Sequence, residues 1–172
     1  MKKITYIQLR AARQLLGIGV RELGALLKVS KSTISTAEAN STRDFYFKYS
    51  AALIDFFETK NITFPTEFSI RYNPTENLQE QVKDSELKLT KFQLRTARYI
   101  LNISQLELAN ILGFSRSLIS HAELLNNTAF INFSNPENII KLKVFFLQQN
   151  IEFIDPFYIF YKNYVDNGSI RW

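Results

Sequence analysis

Two nine-residue segments carry the side chains with the most distinctive chemistry in this chain. The segments 30–38 (SKSTISTAE) and 115–123 (SRSLISHAE) are rich in serine, and each has one cation, Lys31 or Arg116, at its second position. Hydroxyl, ammonium and guanidinium groups donate hydrogen bonds, so these segments suit a partner that carries phosphate or carbonyl oxygens. The same pattern occurs twice, which predicts a repeated structural element to hold it.

The two segments belong to a longer internal repeat. Residues 4–38 and 89–123 align without a gap at an offset of 85, and 17 of the 35 aligned pairs are identical. A second match, at an offset of 89, relates 55–64 to 144–153, so four residues are inserted near 126–135. The sequence therefore predicts two copies of one module, called copy one and copy two below.

Residues that favour helix ends predict a run of short helices in each copy. Thr5 and Thr90 suit the N-cap of a first helix, and Gly17 or Asn102 ends it. Apolar residues at helical spacing along this first helix favour an amphipathic helix with one buried face.

Copy two has the clearer signals for its later helices. Ser104 and Glu107 have the spacing of a capping box, and Gly113 ends the second helix. Ser115 suits the N-cap of a third helix, and Pro136 begins a fourth that runs to about Gln149.

Composition excludes several classes of protein. With no cysteine and one histidine, a zinc site or a thiol nucleophile is not expected, and no cofactor is implied. No nucleophile–base pair or glycine-rich phosphate loop is visible, so an enzyme is the least favoured class. No run of 18 apolar residues and no apolar signal segment occurs, which predicts a soluble cytoplasmic protein without a membrane partner. The net charge of +5 permits a polyanionic partner.

The second and third predicted helices of copy two resemble a known DNA-binding motif. Residues 104–123 (SQLELANILGFSRSLISHAE) are similar to the helix-turn-helix of the phage-repressor and Cro type, also called the xenobiotic response element type. The shared features are S-Q-x-E-L-A, a glycine in the turn, and S-R-S-x-I-S before a glutamate. The resemblance implies a mainly α fold: two tandem lambda-repressor-like modules of four short helices, each followed by short β-strands or a hairpin.

The same resemblance implies roles for individual residues. Gln105 would contact a phosphate and brace the third helix, and Ser115 would bind phosphate. Arg116 is the best candidate for a bidentate contact to guanine, because its forked guanidinium matches the O6 and N7 acceptors. The predicted DNA-binding residues of copy two are Gln105, Ser115, Arg116, Ser117, Ser120 and His121.

Copy one departs from this pattern. Val20 stands where copy two has Gln105, Gly24 replaces an alanine within the second helix, and Lys28 replaces Gly113 in the turn, where a positive φ is expected. Residues 1–64 nevertheless carry a net charge of +5, against +2 for 89–172. Copy one is therefore predicted to grip phosphates more than it reads bases, through Ser30, Lys31, Ser32 and Thr36.

One pair of opposite charges occurs at equivalent positions in both copies. The pair is Arg13 with Glu38 and Arg98 with Glu123, an arginine on the predicted first helix and a glutamate at the end of the third. In the family that the motif resembles, such a pair forms a salt bridge that locks the two helices together. We assign these four residues to structure and not to DNA contact.

The chain is predicted to divide into a first module (1–64), an extended segment with a polar linker (65–88), a second module (89–150) and a C-terminal aromatic β-hairpin (151–172). Asn167-Gly168 is a hairpin signal in that last segment. Its aromatic side chains would either pack on the fourth helix and in a homodimer interface, or stack on single-stranded nucleic acid. Packing is favoured, because little else is left to complete two small cores. The aromatic residues concerned are Phe153, Phe157, Tyr158, Phe160, Tyr161 and Trp172.

Two functions from different classes follow. The first is a sequence-specific, double-stranded DNA-binding transcriptional regulator of bacterial or phage origin, in which the two modules act as a covalent pseudo-dimer. The second is a protein-interaction or antitoxin-like module in which the degenerate copy one serves assembly. Binding to random duplex DNA distinguishes them.

Overall fold

The computed structural model describes residues 3–39, 43–75, 88–124 and 126–162. The chain divides into two compact units, Met1–Asn73 and Pro74–Trp172. The described residues form eight helices and four short strands, so the chain is mainly α with a small β component.

Each unit has four helices followed by two antiparallel strands. Unit one contains α1 (Tyr6–Leu15), α2 (Val20–Leu27), α3 (Lys31–Ala39), α4 (Arg43–Glu58), β1 (Ile62–Thr63) and β2 (Ser69–Tyr72). Unit two contains α5 (Lys91–Leu101), α6 (Gln105–Leu112), α7 (Arg116–Ala122), α8 (Glu137–Gln148), β3 (Ile151–Asp155) and β4 (Tyr158–Tyr161).

The predicted ends of the first helix in each unit are confirmed. Thr5 caps α1 and Thr90 caps α5, each within a capping box that also uses the side chain three residues later. Asn102 ends α5 at a φ of 56°, and Gly17, just past the end of α1, has a φ of 72°. Left-handed residues at these points satisfy the last carbonyls of the helix and turn the chain sharply.

The later helices of unit two also begin and end where the sequence predicts. Ser104 and Glu107 form a capping box at the start of α6, and Gly113 ends α6 at a φ of 68°. Ser115 is the N-cap of α7, and α8 lies between Pro136 and Gln149. These signals are local, which is why they can be read from the sequence.

The cores of the two units use equivalent positions. Five large apolar side chains of the helices that are at most 1% exposed occupy matching positions in the two units, at the offsets of 85 and 89 found in the sequence. They are Leu9, Leu23, Ile34, Leu53 and Phe57 in unit one, and Leu94, Leu108, Ile119, Leu142 and Phe146 in unit two. Since apolar burial is the main stabilising contribution, the repeat preserves the residues that hold the helices together.

Lys28 occupies the left-handed position at the end of α2. Its φ of 56° confirms the prediction that copy one places a side chain where copy two has Gly113. A non-glycine residue pays a steric cost in this conformation, because its Cβ crowds the adjacent backbone.

Lys28→Gly is therefore expected to raise the free energy of unfolding of unit one by about 1 kcal/mol. Amide hydrogen exchange of α2 and α3 measures this unit separately from unit two. The reciprocal change, Gly113→Lys, should lower protection in α6 and α7. Equal protection in Lys28→Gly and the unchanged chain would show that the turn carries no strain.

Gly24 has a role in packing that its replacement of an alanine in the repeat does not reveal. A Cβ on Gly24 would lie 2.8 Å from the backbone carbonyl oxygen of Val29, which is too close for a carbon atom. The amide of Val29 also donates a 2.8 Å hydrogen bond to the carbonyl of Gly24. Glycine thus lets the turn into α3 pass directly over α2.

The hairpins after α4 and α8 share the register of their first pairs. Ile62 pairs with Tyr72 in unit one, and Ile151 pairs with Tyr161 in unit two, again at an offset of 89. Tyr158–Tyr161 is therefore the counterpart of β2, although the sequence of β2 (S-I-R-Y) is more similar to residues 169–172 (S-I-R-W).

The turn between β3 and β4 lies at Pro156 and Phe157. The predicted turn at Asn167-Gly168 and the side chain of Trp172 lie outside the described residues, as does 76–87 of the predicted linker. The rest of the predicted segment 65–88 contains β2.

Among the described aromatic residues of the C-terminal segment, Tyr161 belongs to the core at 2% exposure. Phe153 packs edge-on against Phe146 of α8, with ring centroids 5.8 Å apart. Phe157, Tyr158 and Phe160 are half-buried. The contact between Phe153 and Phe146 is of the packing kind that the sequence favoured over a stacking surface.

Candidate nucleic-acid interface

Helix α7 separates its apolar and polar side chains. Ile119 and Ala122 are buried against the rest of unit two. Arg116, Ser117 and His121 are exposed. The helix therefore presents side chains that donate hydrogen bonds on its free side, while its apolar side fixes its position.

The two remaining serines of this predicted site also bond to α7 itself. Ser115 is exposed, and its Oγ accepts a 3.2 Å hydrogen bond from the amide of Leu118, which caps the helix. Ser120 is half-buried, and its hydroxyl donates a 3.1 Å bond to the carbonyl of Ser117. These bonds fix the first turns of α7, from which Arg116 projects.

The corresponding helix of unit one, α3, repeats this arrangement. Ser30, Lys31, Ser32 and Thr36 are all exposed. The Oγ of Ser30 accepts a 3.1 Å hydrogen bond from the amide of Thr33. The exposed set thus has one cation and three hydroxyl groups, with Lys31 in the place of Arg116.

A buried ion pair holds each of these helices. The Nε and Nη2 of Arg98 lie 2.6 Å from the two carboxylate oxygens of Glu123, and its Nη1 donates a 2.8 Å bond to the carbonyl of Ile103. The side chain of Glu123 is 2% exposed and that of Arg98 is 8% exposed. Burial lowers the pKa of Arg98, but the hydrogen bonds and charge of Glu123 outweigh it and the pKa lies above its ordinary value.

The same pair forms in unit one with slightly more exposure. Arg13 contacts the two carboxylate oxygens of Glu38 at 2.5 and 2.8 Å and donates a 2.7 Å bond to the carbonyl of Ile18. Its side chain is 11% exposed and that of Glu38 is 8% exposed. Each arginine thus ties together the first helix, the turn that follows it and the end of the third helix.

Gln105 extends this network in unit two. Its Nε2 donates a 2.9 Å hydrogen bond to Oε2 of Glu123, so the side chain joins the start of α6 to the end of α7. Val20, at the equivalent position of unit one, has no polar side-chain atom and cannot make this bond. The brace that the family resemblance implies for Gln105 is therefore a property of unit two.

Gln105→Val, which copies the residue of unit one, is expected to lower the free energy of unfolding of unit two by about 1.5 to 3 kcal/mol, because a hydrogen bond to a buried charge is lost. Urea unfolding followed by amide exchange in α6 and α7 measures the change. Gln148→Val, at an exposed position of α8, is the matched control and should have little effect. A loss of stability no greater than that of the control would show that Gln105 does not stabilise unit two.

Two glutamines that were not singled out in the sequence also position the first helices. Gln8 donates from Nε2 to the carbonyl of Thr66 at 2.7 Å, and Gln93 donates to the carbonyl of Asp155 at 2.9 Å. Each glutamine also accepts a bond from the amide of its capping threonine. The same residue type occurs at this position in both copies, and this was the signal that could have pointed to a structural role for the two glutamines.

Tyr46 fixes the end of α3. Its hydroxyl is buried and donates a 2.7 Å hydrogen bond to the carbonyl of Ala37. Burial, and next the negative charge of Glu38, raise the pKa of Tyr46 far above its usual value. The phenol therefore remains a protonated donor and helps to keep α3 in place.

Two further kinds of feature are absent from the described residues. Within them, no three acidic or histidine side chains are grouped so that they could hold a metal ion. None of their helices is both long enough and apolar enough to cross a membrane.

Comparison of the chain with protein-family models, with curated proteins and with solved structures found no match. Function is therefore inferred from the geometry of α3 and α7 and from the residues that hold them.

Proposed function

We propose that the chain is a sequence-specific, double-stranded DNA-binding transcriptional regulator, and that each unit is a lambda-repressor-like helix-turn-helix module. The observation that carries this proposal is the pair of equivalent helices, α3 and α7. Each is N-capped by an exposed serine, fixed at its other end by a buried Arg–Glu pair, and lined on its free side by hydrogen-bond donors.

The major groove of DNA, about 12 Å wide, admits such a helix and presents acceptors that its side chains can read. Arg116 would contact the O6 and N7 atoms of a guanine, and Ser117, Ser120 and His121 would lie along neighbouring base pairs. Ser115 and Gln105 would meet phosphates at the edge of the groove, where exposed amides at the start of a helix favour anions.

Unit one would contribute affinity more than sequence recognition. Lys31 carries a compact charge without the planar fork of Arg116, so it suits a phosphate better than the edge of a guanine. Ser30, Ser32 and Thr36 add hydroxyl donors of the same kind. The two units would act as a covalent pseudo-dimer in the cytoplasm. A homodimer formed through the C-terminal strands would add a second pair of units.

Selection from random DNA duplexes in a mobility-shift assay tests the proposal. The expected result is enrichment of a common sequence, with binding that weakens steeply as salt rises. The matched control is the triple variant Arg116→Ala, Ser117→Ala, His121→Ala, whose substitutions are all at exposed positions. Equal behaviour of the two proteins, or no enrichment, would contradict the proposal.

One observation favours the alternative, an antitoxin-like or assembly role for copy one. Unit one has a cleft of about 380 Å³ lined mainly by apolar side chains of α2, α4 and the turn after α1, together with Glu22 and Lys60, and its lining residue Leu26 is 49% exposed. Exposed apolar surface of this kind suits a protein partner. Under this alternative, the DNA selection fails while Leu26→Glu abolishes a complex with a protein partner.

The proposal also predicts the shape of the DNA site. The two units differ at exposed positions, with Lys31 against Arg116 and Thr36 against His121, so one chain should occupy two unlike half-sites. Motifs of this type usually place two recognition helices about 34 Å apart on the duplex. We therefore expect an asymmetric footprint for one chain, and a palindrome only when whole chains dimerise.

Footprinting combined with light scattering of the complex measures the site and the number of chains together. One chain bound to a symmetric palindrome, or a footprint of a single half-site, would contradict the pseudo-dimer.

A further inference from the structure

A cleft of about 340 Å³ lies beside α7 in unit two. Its wall includes Lys91 of α5, Leu118 and His121 of α7, and the segment from Phe130 to Ser134. This volume is within the range of pockets that bind small molecules.

The wall opposite α7 belongs to the region where copy two has four extra residues. Main-chain hydrogen bonds hold this wall against the residues around the start of α5: the amide of Lys91 donates to the carbonyl of Ala129 at 3.0 Å, and that of Ile131 donates to the carbonyl of Leu89 at 2.8 Å. Ile131 and Phe133 are each 8% exposed and anchor it. Hydrogen bonds and buried side chains therefore fix the position of the segment that forms this wall of the cleft.

Three side chains of the cleft also differ from their counterparts in copy one. At the offset of 85, Lys91 replaces Tyr6, Leu118 replaces Thr33 and His121 replaces Thr36. The changes bring in a cation, an apolar contact and a ring with an N–H donor. Together with the extra residues, four differences between the copies converge on one cleft.

Helix stability does not account for Lys91. It is the first residue of α5, whose first turn has no acidic residue, and a cation there opposes the helix dipole. A role in binding a negatively charged group explains its presence better.

We propose that this cleft binds a small organic anion, a carboxylate with an aromatic or aliphatic body. The ammonium of Lys91 and an N–H of His121 would bind the carboxylate. Leu118, Phe130 and Phe133 would contact the apolar body. Leu118, Phe130 and Phe133 place apolar surface beside the polar groups of the lining, and this combination favours such a ligand over a bare phosphate, which has no apolar surface to bury.

The ligand would regulate the proposed regulator, since His121 belongs both to the cleft and to the predicted DNA-binding residues. An occupied cleft would engage His121 and compete with DNA. This consequence rests on the proposed function, whereas anion binding itself does not.

Proton NMR of the full chain without DNA tests the binding site. His121 is the single histidine, so its ring resonance needs no assignment among others. At fixed pH, benzoate is expected to shift this resonance in a saturable manner. Lys91→Ala and the neutral probe benzamide should each bind about tenfold more weakly, because a charge-assisted hydrogen bond is lost.

Lys141→Ala, at an exposed lysine outside the cleft, is the matched control and should bind benzoate as the unchanged chain does. Dispersed amide signals in Lys91→Ala verify its fold. A shift that does not saturate, equal binding of benzamide, or equal binding of inorganic phosphate would overturn the proposal; the last would point to a general anion contact such as a DNA phosphate.

A mobility-shift assay with benzoate then tests regulation. Benzoate should weaken DNA binding of the unchanged chain and not of Lys91→Ala. Failure of DNA binding alone would refute the proposed function and leave the NMR result intact, so the two proposals can fail separately.

Discussion

Glu123→Gln is expected to lower the free energy of unfolding of unit two by about 3 to 5 kcal/mol, because it leaves a buried arginine without its counter-charge. Glutamine keeps the shape of the side chain but cannot accept on both atoms. Arg98 would lose one of two 2.6 Å contacts together with the negative charge, and Gln105 shares the same carboxylate. The change therefore disturbs three helices of unit two at one point.

Amide exchange in α5 and α7 measures this loss, with Glu137→Gln, at an exposed glutamate, as the control. Glu38→Gln in unit one should cost less, because the pair of Arg13 and Glu38 is more exposed. The double variant Arg98→Met, Glu123→Leu should recover much of the stability, since no charge remains buried. If the double variant is less stable than Glu123→Gln, the uncompensated charge is not the cause.

The repeat and the helix ends were predictable because the rules behind them are local. A threonine or serine three residues before a glutamine or glutamate predicts a capping box where the pair stands at the start of a helical pattern, and Thr5, Thr90 and Ser104 all follow this rule. A positive φ at Lys28 could be inferred because Gly113 marks the same position in the other copy. The two copies thus provide two different sequences for the same fold, and a feature that is clear in one copy predicts the same feature in the other.

Contacts between distant residues were harder to predict. Gln8 and Gln93 donate to backbone carbonyls about 60 residues later, and a carbonyl gives no signal in the sequence because every residue has one. The close approach at Gly24 depends in the same way on the path of the backbone, not on residue type.

The end of the chain shows a different limit. The letters S-I-R recur at 169–171, but the register of the second hairpin follows the helix offset of 89 and makes Tyr158–Tyr161 the counterpart of β2. Packing explains the difference, because Tyr72 and Tyr161 pair with the buried residues Ile62 and Ile151. Identical letters are a weaker guide than a conserved register with buried positions.

The candidate interface has some features that follow from local sequence and others that depend on contacts between distant residues. The exposure of Arg116, Ser117 and His121 follows from helical spacing around the buried Ile119. The bond from Gln105 to Glu123 and the cleft beside His121 depend on how three helices and an inserted segment meet, which no single motif specifies.

Arg116→Ala is expected to weaken binding to the preferred DNA sequence by about 1 to 3 kcal/mol and to relax preference at one or two base pairs. The side chain is exposed in the first turn of α7, so its removal leaves the core of unit two unchanged. The alanine variant lacks both hydrogen bonds that the guanidinium would donate to one guanine. Its affinity for DNA with a different base pair at that position should then be nearly the same. Selection from random duplexes with both proteins measures the change in preference.

Lys31→Ala is the matched variant, since Lys31 holds the equivalent position at the start of α3. It should weaken binding to all sequences by the same factor and reduce the dependence on salt by about one counterion, as expected for a phosphate contact. A uniform loss in Arg116→Ala would make that residue a phosphate contact as well. A new preferred sequence in Lys31→Ala would instead give copy one a role in base recognition, because only a side chain that touches base edges can change which bases are favoured.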